Sequence, residues 1–186
     1  MSNQPEVELS DIALVEKILS TKDERYFGIL YDRYASFVYN QSFSFVDSEE
    51  EAQDLTHDIF IKIYLNLKKF KKESKLSTWI YSIVYNQCLN YVKKNQKKPE
   101  ENKDLYEDVE NLEHHTEEIS DKELFEINYA KLQEILNQIP IEDKAILLMK
   151  YKDDMSVKDI SELFNIKESA VKMRLQRAKK RVLELR

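Results

Sequence analysis

Side chains that can read DNA bases recur on one face of the last predicted helix, 167–185. Apolar residues at helical spacing form a stripe that we expect to be buried, namely Val171, Leu175, Ala178, Val182 and Leu185. The opposite face carries Ser169, Lys172, Met173, Gln176, Arg177 and Lys180. Lysine and arginine bind guanine acceptors, glutamine can pair with adenine, and methionine can contact a thymine methyl group. This face therefore predicts a helix that enters a DNA major groove.

A short predicted helix, 156–164, precedes the basic helix. Ser156 and Asp159 have the spacing of a capping box, with Asp in place of the usual Glu or Gln. Asn165 follows at the turn, where it tolerates a left-handed backbone, and Ile166 is expected to fill the corner. The alternative is a basic amphipathic helix solvated on one side, but the order of these elements favours a DNA-binding helix-turn-helix. Phosphates are the expected contacts of Arg174, Lys179 and Arg181.

A second group of polar side chains lies in the predicted helix 47–69. Its buried stripe is predicted to be Ala52, Leu55, Ile59 and Ile63. The other side carries Asp54, His57, Asp58 and Ile61. Two carboxylates beside an exposed isoleucine suit a basic protein partner. A metal site at His57 is the alternative, and the absence of a second His or Cys nearby in the sequence argues against it.

A third group combines lysines, aromatic residues and an asparagine between 70 and 98. It comprises Phe70, Lys71, Lys72, Ser74, Lys75, Asn86, Lys93 and Lys94. Bases bind to aromatic rings and amides, and phosphates bind to ammonium groups, so this mixture is typical of single-stranded DNA binding. Trp79 and the tyrosines of the predicted helix 75–97 have an alternative role as ordinary core residues. Cys88 is expected to be a small buried hydrophobe.

The elements that position these groups are predicted to be helices. Among 186 residues there are only one glycine and three prolines, with 42% apolar and 34% charged residues. That composition predicts an all-α protein. We expect two small helical domains, 8–98 and 123–186, joined by an acidic flexible linker, 99–122. The predicted helices are 8–20, 22–45, 47–69, 75–97, 123–138, 141–151, 156–164 and 167–185.

Charge is distributed in blocks along the chain, although the net charge is −6. Counting Lys and Arg against Asp and Glu gives −9 for residues 1–61, +9 for 62–98, −10 for 99–126 and +4 for 127–186. Charges are screened beyond about 8 Å at physiological salt, so each block acts locally. Two basic surfaces separated by acidic ones fit a protein that meets DNA at two places.

Several function classes are disfavoured by the sequence. The single glycine, Gly28, excludes phosphate-binding loops that need two or more glycines, and there is no HExxH motif. We therefore expect no enzymatic activity and no cofactor, although a carboxylate-only active site stays open. His114-His115 could bind adventitious metal, but a solvated tether is favoured. The acidic N-terminus and the lack of an apolar run of about 20 residues predict a cytoplasmic protein without membrane insertion.

Two stretches resemble known regions of one protein family. The run Asp54-Leu-Thr-His-Asp-Ile-Phe-Ile-Lys62, then Phe70, Ser77-Thr-Trp-Ile-Tyr81 and Asn86, resembles region 2 of the sigma-70 family in its extracytoplasmic-function branch, group 4. Leu136-Asn-Gln-Ile-Pro140 followed by 156–181 resembles region 4. The resemblance covers about 10–98 and 125–186. It implies a sigma factor that binds core RNA polymerase and directs promoter-specific transcription initiation.

The resemblance also implies roles for the residues at matching positions. Asp54, His57 and Asp58 match the region 2 grip on polymerase clamp helices. Phe70, the loop 71–77 and Asn86 match a pocket for a flipped base of the melted −10 element. The helix face with Lys172, Met173, Gln176 and Arg177 matches the reader of the −35 duplex. Such proteins often have an anti-sigma factor as a further partner.

The chain departs from the family pattern at a few positions. Lys71-Lys72 replaces a more usual Arg-Gly, and Ser82 stands where arginine is common. Met173 sits where serine is frequent, and Ser161 and Ser169 where Ala and Gly often occur. These differences bear on which promoter is read. Two rival functions stay open at this point, a free-standing helix-turn-helix regulator and a protein-binding adaptor or anti-sigma-like decoy.

Overall fold

The computed structural model describes residues 9–72, 74–95 and 119–186. The chain divides into two compact units, Met1–Asn95 and Gln96–Arg186. All regular secondary structure in the described residues is helical, which confirms the predicted all-α class. The predicted linker lies outside the described residues up to residue 118. The N-terminal residues 1–8 and His114-His115 lie outside them as well.

The first unit is a bundle of four α-helices within the described residues. They are α1 (Asp11–Thr21), α2 (Glu24–Phe43), α3 (Glu49–Asn66) and α4 (Leu76–Asn95), with a 3₁₀ turn at Leu67–Lys69. Ser10, Asp23 and Ser48 cap the first three helices, and their side-chain oxygens accept backbone N–H groups that have no partner inside the helix. Helix α3 packs between α2 and α4, and α1 packs on α2.

The apolar stripe of α3 forms the centre of this bundle. Ala52, Leu55, Ile59 and Ile63 are all buried, as predicted. Helix α1 is held to α2 by polar contacts, since Tyr34 Oη donates to Asp11 Oδ2 at 2.7 Å. Burial, and then this hydrogen bond, raise the pKa of the Tyr34 hydroxyl above its ordinary value.

The second unit contains five α-helices in its described part. They are α5 (Asp121–Phe125), α6 (Tyr129–Leu136), α7 (Ile141–Leu147), α8 (Val157–Phe164) and α9 (Glu168–Glu184), with a π-helical segment at Leu148–Lys152 after α7. The single helix predicted over 123–138 is wrong, because the chain breaks after α5 and restarts at α6. Asn128 caps the restart, and its side chain accepts the Ala130 N–H at 3.0 Å.

The helix-turn-helix has the predicted local structure. Ser156 and Asp159 form the reciprocal capping box. Asn165 takes the left-handed conformation, with φ 52°. Helix α9 packs on α7 and α8, and its stripe from Val171 to Val182 is buried. The predicted burial of Leu185 is wrong: the side chain is 40% exposed because α9 ends at Glu184 and the helical period ends with it.

Candidate polymerase and DNA surfaces

The predicted DNA-reading face of α9 lies on the surface of the second unit. Ser169, Lys172, Arg177 and Lys180 are exposed, while Met173, Arg174 and Gln176 are half-buried. Helix α8 and the Asn165 turn position this face, because they bury the opposite side of α9. Six of the seven candidate residues therefore lie around a common exposed side. Arg174 lies apart from them, because it is four residues from buried Ala170 and four from buried Ala178. Such a surface can bring donors and a polarizable side chain to the edge of a base pair.

Lys179 and Arg181, two of the predicted phosphate contacts, each form an ion pair inside the second unit. Lys179 is only 6% exposed and pairs with Asp121. Arg181 pairs with Asp143 of α7, whose side chain is 14% exposed. A phosphate contact by Lys179 does not fit this conformation, because the ammonium is buried on its acidic partner. The Arg181 side chain is 47% exposed beside its partner, so its phosphate contact stays a prediction. Sequence spacing along α9 could not reveal partners on other elements.

The Lys179 ion pair is part of a small polar network. Asp121 Oδ1 accepts hydrogen bonds from Lys179 Nζ and, at 2.8 Å, from Tyr151 Oη. The hydrogen bond from Lys179 is the main reason why the pKa of Asp121 lies below its ordinary value. Burial lowers the pKa of Lys179, but the hydrogen bonds to Asp121 and Tyr151 outweigh it, and the net direction is upward. The network ties α5 to α9.

The acidic and apolar side of α3 is exposed, as its spacing predicts. Asp54, His57 and Asp58 are exposed, and Ile61 is 45% exposed. Two further apolar side chains extend this surface and were not predicted, namely Tyr64 (54% exposed) and Leu65 (61% exposed). The signal for Leu65 was present in the sequence, because it follows Ile61 by four residues and Asp58 by seven. We call Asp54, His57, Asp58, Ile61 and Leu65 the α3 face.

The third group of candidates surrounds the segment between the 3₁₀ turn and α4. Its members Lys71, Lys72, Ser74 and Lys75 are exposed, as are Asn86 and Lys94 on α4, while Lys93 is half-buried. Lys72 adopts a left-handed backbone, with φ 60°. Its ammonium contacts Glu16 Oε1 of α1 at 2.5 Å. Glu16 was not predicted, and a partner 56 residues away leaves no signal in local spacing.

Phe70 differs from the other members of this group. Its side chain is only 7% exposed, and its ring centroid lies 5.7 Å from that of Trp79. The two rings anchor the segment to the start of α4. In this conformation Phe70 is a core residue beneath the basic segment. Its place in a pocket for a flipped −10 base stays a prediction. Trp79 has the structural role that the alternative reading assigned to it.

Metal binding and membrane crossing each require a recognisable structural feature. In residues 9–72, 74–95 and 119–186, no group of three or more His, Cys, Asp or Glu side chains could hold a metal ion. Over the same part of the chain, no helix combines the length and the apolar character needed to cross a membrane.

Comparison with known proteins identifies the family. The family model for sigma-70 region 2 matches residues 30–98, and that for sigma-70 region 4 matches residues 129–182. The ECF RNA polymerase sigma factor SigW of Bacillus subtilis is 28% identical, over 84% of this chain and 87% of its own. The ECF RNA polymerase sigma-E factor of Haemophilus influenzae is 28% identical, over 94% of each chain.

Solved structures support the fold. A chain of CnrH, in complex with the cytosolic domain of CnrY, matches with a TM-score of 0.63 at 16% identity, covering 92% of this chain and 94% of that one. The sigma factor RpoE of Bartonella quintana, in complex with the anti-sigma factor NepR, matches with a TM-score of 0.58 at 17% identity, covering 86% and 95%. Because models of sigma-70 regions 2 and 4 both match, and the relatives are ECF sigma factors, this chain belongs to the extracytoplasmic-function branch of the sigma-70 family.

Proposed function

We propose that this protein is a sigma factor that binds core RNA polymerase and directs promoter-specific initiation through two separate surfaces. The observation that carries the proposal is that the two matched regions fold into separate units, each with a polar surface suited to its task. The α3 face offers carboxylates and apolar side chains in the first unit. The exposed side of α9 offers cationic and amide donors in the second. The family and its relatives support both partners, core polymerase and promoter DNA.

In this proposal the domain 8–98 docks on core polymerase through the α3 face. Asp54 and Asp58 supply charge that steers a basic partner, and Ile61 supplies apolar area that is removed from water on docking. Water solvates these two exposed carboxylates in the free protein, so their i,i+4 repulsion costs only a few tenths of a kcal/mol, roughly, until a basic partner neutralises it. The predicted linker, 99–122, then connects this domain to the domain 123–186. Its last residues, 119–122, already contact α9, so we place the start of the second domain at Ile119.

The domain 123–186 would read the −35 duplex with α9. Lys172 and Arg177 donate to guanine acceptors or to phosphates, and Met173 contacts a thymine methyl group. The exposed lysines around Phe70 and the Asn86 amide would hold the melted −10 strand. Extrusion of a base costs a few kcal/mol, which contacts in the pocket and with the backbone offset. No covalent step is required of this chain, so it acts as a non-enzymatic adaptor.

The proposed partners also indicate where the protein works and which kind of protein could regulate it. Core RNA polymerase works in the bacterial cytoplasm, so we place the protein there. An anti-sigma factor is a further proposed partner, because the RpoE structure matched above holds one. Such a partner would act by covering a surface that polymerase or DNA needs.

The proposal is tested by transcription with purified components. The protein is combined with bacterial core polymerase and a promoter library, and transcripts are mapped. We expect core binding, and we expect start sites that share two upstream sequence elements. Asp54→Asn/Asp58→Asn should weaken core binding, whereas the control Asp32→Asn/Glu49→Gln removes the same charge from other exposed positions of the unit and should not. Lack of core binding by the wild-type chain would overturn the sigma-factor role.

Substitutions on α9, compared with a control substitution on α6, test the DNA surface. Lys172→Ala and Arg177→Ala should each reduce transcription that depends on the −35 element, while Lys131→Ala, an exposed lysine of α6, should not. A free-standing regulator would instead bind duplex DNA strongly without polymerase, and a decoy would keep its activity in both α9 variants. Linking two weak sites is what gives the holoenzyme its specificity, so the isolated chain should bind duplex weakly.

A further inference from the structure

The backbone N–H and C=O groups of Ile119 each contact a side chain of α9. Its N–H donates to Gln176 Oε1 at 3.1 Å, and its carbonyl accepts from Lys179 Nζ at 3.2 Å. Residues three apart are neighbours on a helix surface, so one backbone unit reaches both side chains. Gln176 is a half-buried member of the predicted reading face, and Lys179 lies on the buried side. The start of the described second unit is thus in contact with the DNA candidate surface.

This contact is held by groups that lie away from the reading face. The Lys179 side chain is 7% exposed, and its ammonium is paired with Asp121 and lies 5.8 Å from the centre of the Tyr151 ring. Tyr151 donates to the same carboxylate oxygen of Asp121 from the π-helical segment. Removing one partner of a buried charge leaves the other uncompensated, which is costly. Asp121, Tyr151 and Lys179 therefore keep Ile119 in place, and we call them the latch.

The Ile119 hydrogen bond determines which way the Gln176 amide faces. The oxygen and nitrogen of a planar side-chain amide point in different directions, so an oxygen turned toward Ile119 directs the NH₂ group away from it. Pairing with adenine needs the oxygen and the nitrogen together on one base edge. An outward NH₂ group alone is complementary to acceptors, namely guanine N7 and O6, thymine O4 or adenine N7. Adenine is the poorest of these three partners, because its N6 amino donor stands beside N7 and meets no acceptor on the turned amide. The adenine pairing expected from residue type does not fit this orientation.

We propose that Gln176 is a donor-only specificity residue that selects guanine or thymine in the −35 element, and that the latch positions it. Asp121, Tyr151 and Lys179 act through Gln176 and touch no base. The inference rests on the proposed function, since it assumes that α9 reads duplex DNA. If α9 reads DNA in this way, residues at the start of the second unit, outside the helix-turn-helix, also influence which base is preferred.

The experiment measures base preference with the holoenzyme. Full-length protein bound to core polymerase selects promoters from a library randomised over the −35 element, and enriched sequences are counted. Gln176→Ala identifies the position that Gln176 reads. At that position the wild-type protein should prefer guanine or thymine over adenine by about threefold to tenfold, the range expected for one hydrogen bond. Preferences at the other positions should be unchanged in Gln176→Ala.

The latch variants then separate a positioning role from a merely structural one. Tyr151→Phe removes one hydrogen bond to Asp121 without changing charge, and Asp121→Asn removes the charge. Both should flatten the preference at the Gln176 position alone. Glu123→Gln removes the same charge from an exposed site two residues away and should leave every preference unchanged. A uniform loss of affinity across sequences is what a purely structural role would produce.

Three results would overturn the inference. They are a wild-type preference for adenine at the Gln176 position, no position affected by Gln176→Ala, and an unchanged preference in both latch variants. In each of these cases the holoenzyme still selects promoters, so the proposed function stands. A holoenzyme with no promoter selectivity at all would instead overturn the proposed function, and the inference with it.

Discussion

Lys72 and Glu16 form an ion pair between the segment before α4 and helix α1, with the ammonium 2.5 Å from the carboxylate oxygen. Their side chains are 44% and 59% exposed, so water screens the pair and its own contribution to stability is small. Lys72 also has φ 60°, a conformation that costs a side-chain-bearing residue about 1–2 kcal/mol. The contact therefore orients the basic segment more than it stabilises the bundle.

Replacement of Lys72 tests whether its left-handed backbone is strained. Both Lys72→Ala and Lys72→Gly lose the ion pair, but only glycine relieves the left-handed strain. We expect Lys72→Gly to be more stable than Lys72→Ala by about 1 kcal/mol in urea denaturation. Lys71, its neighbour outside the left-handed region, is the control: there the glycine variant should be no more stable than the alanine variant. Equal stability of the two Lys72 variants would contradict a strained backbone.

The exposed apolar residues of the α3 face should contribute to binding and not to folding. Ile61→Ala/Leu65→Ala should weaken the affinity for core polymerase about tenfold, because the removed area is buried only in the complex. The unfolding free energy should change by less than about 0.5 kcal/mol, as for most surface substitutions. Ile12→Ala, a similarly exposed position on α1, is the control. Titration of labelled protein with core polymerase measures the affinities, and unchanged binding by the double variant would remove Ile61 and Leu65 from the interface.

Phe70 is expected to behave as a core residue. Phe70→Ala should lower the unfolding free energy of the first unit by about 3 kcal/mol or more, because its buried ring packs on Trp79. Phe70→Leu keeps most of the volume and should cost less. Thermal or urea unfolding of the full chain measures both. If Phe70→Ala left stability unchanged and affected only promoter melting, the ring would be a direct ligand of DNA in an opened conformation.

The capping box at the start of α8 should determine the stability of the helix-turn-helix. Ser156→Ala removes the oxygen that accepts the Asp159 N–H at 3.0 Å, and we expect a loss of about 1 kcal/mol in unfolding free energy. Ser156→Asp restores an acceptor at the cap and should recover much of the loss. Hydrogen exchange of α8 amides would show where the loss arises. An alanine variant as stable as the wild type would contradict the cap assignment.

The latch should be stable across the physiological pH range and fail at the extremes. The pKa of Asp121 is lowered from 3.8, so its stabilising contribution is present above pH 3.8 and is lost as the pH falls through the lowered value. The pKa of Lys179 is raised from 10.5, so its contribution is present below pH 10.5 and is lost as the pH rises through the raised value.

Nuclear magnetic resonance can follow the Ile119 amide signal as the pH changes. We expect a constant chemical shift between about pH 5 and pH 9, since none of the three latch groups titrates there: the pKa of Asp121 is lowered from 3.8, and those of Tyr151 and Lys179 are raised from 10.0 and 10.5. In Asp121→Asn the signal should already be displaced at pH 7, while in Glu123→Gln it should remain at the wild-type position. A titration of the Ile119 signal near neutral pH would show that another group controls the contact.

Local sequence patterns were sufficient to predict most of the helices, their buried stripes and the capped turn before α9. These features depend on neighbours within about four residues, so periodicity and residue type are sufficient to predict them. The same reasoning predicted the exposed side of α3 and the reading side of α9. It was wrong at 123–138, where a capping asparagine inside an apolar pattern was read as part of one helix.

The partners of several charged and polar side chains become visible only once the helices are packed together. Lys72 meets Glu16, Gln176 meets Ile119, and Lys179 meets Asp121 across separations of 56 to 58 residues. Helical periodicity cannot distinguish a lysine that contacts DNA from a lysine that is buried in an ion pair, because both lie outside the apolar stripe. What distinguishes them is a carboxylate brought close by the packing of other helices, and long-range packing is not encoded in local spacing.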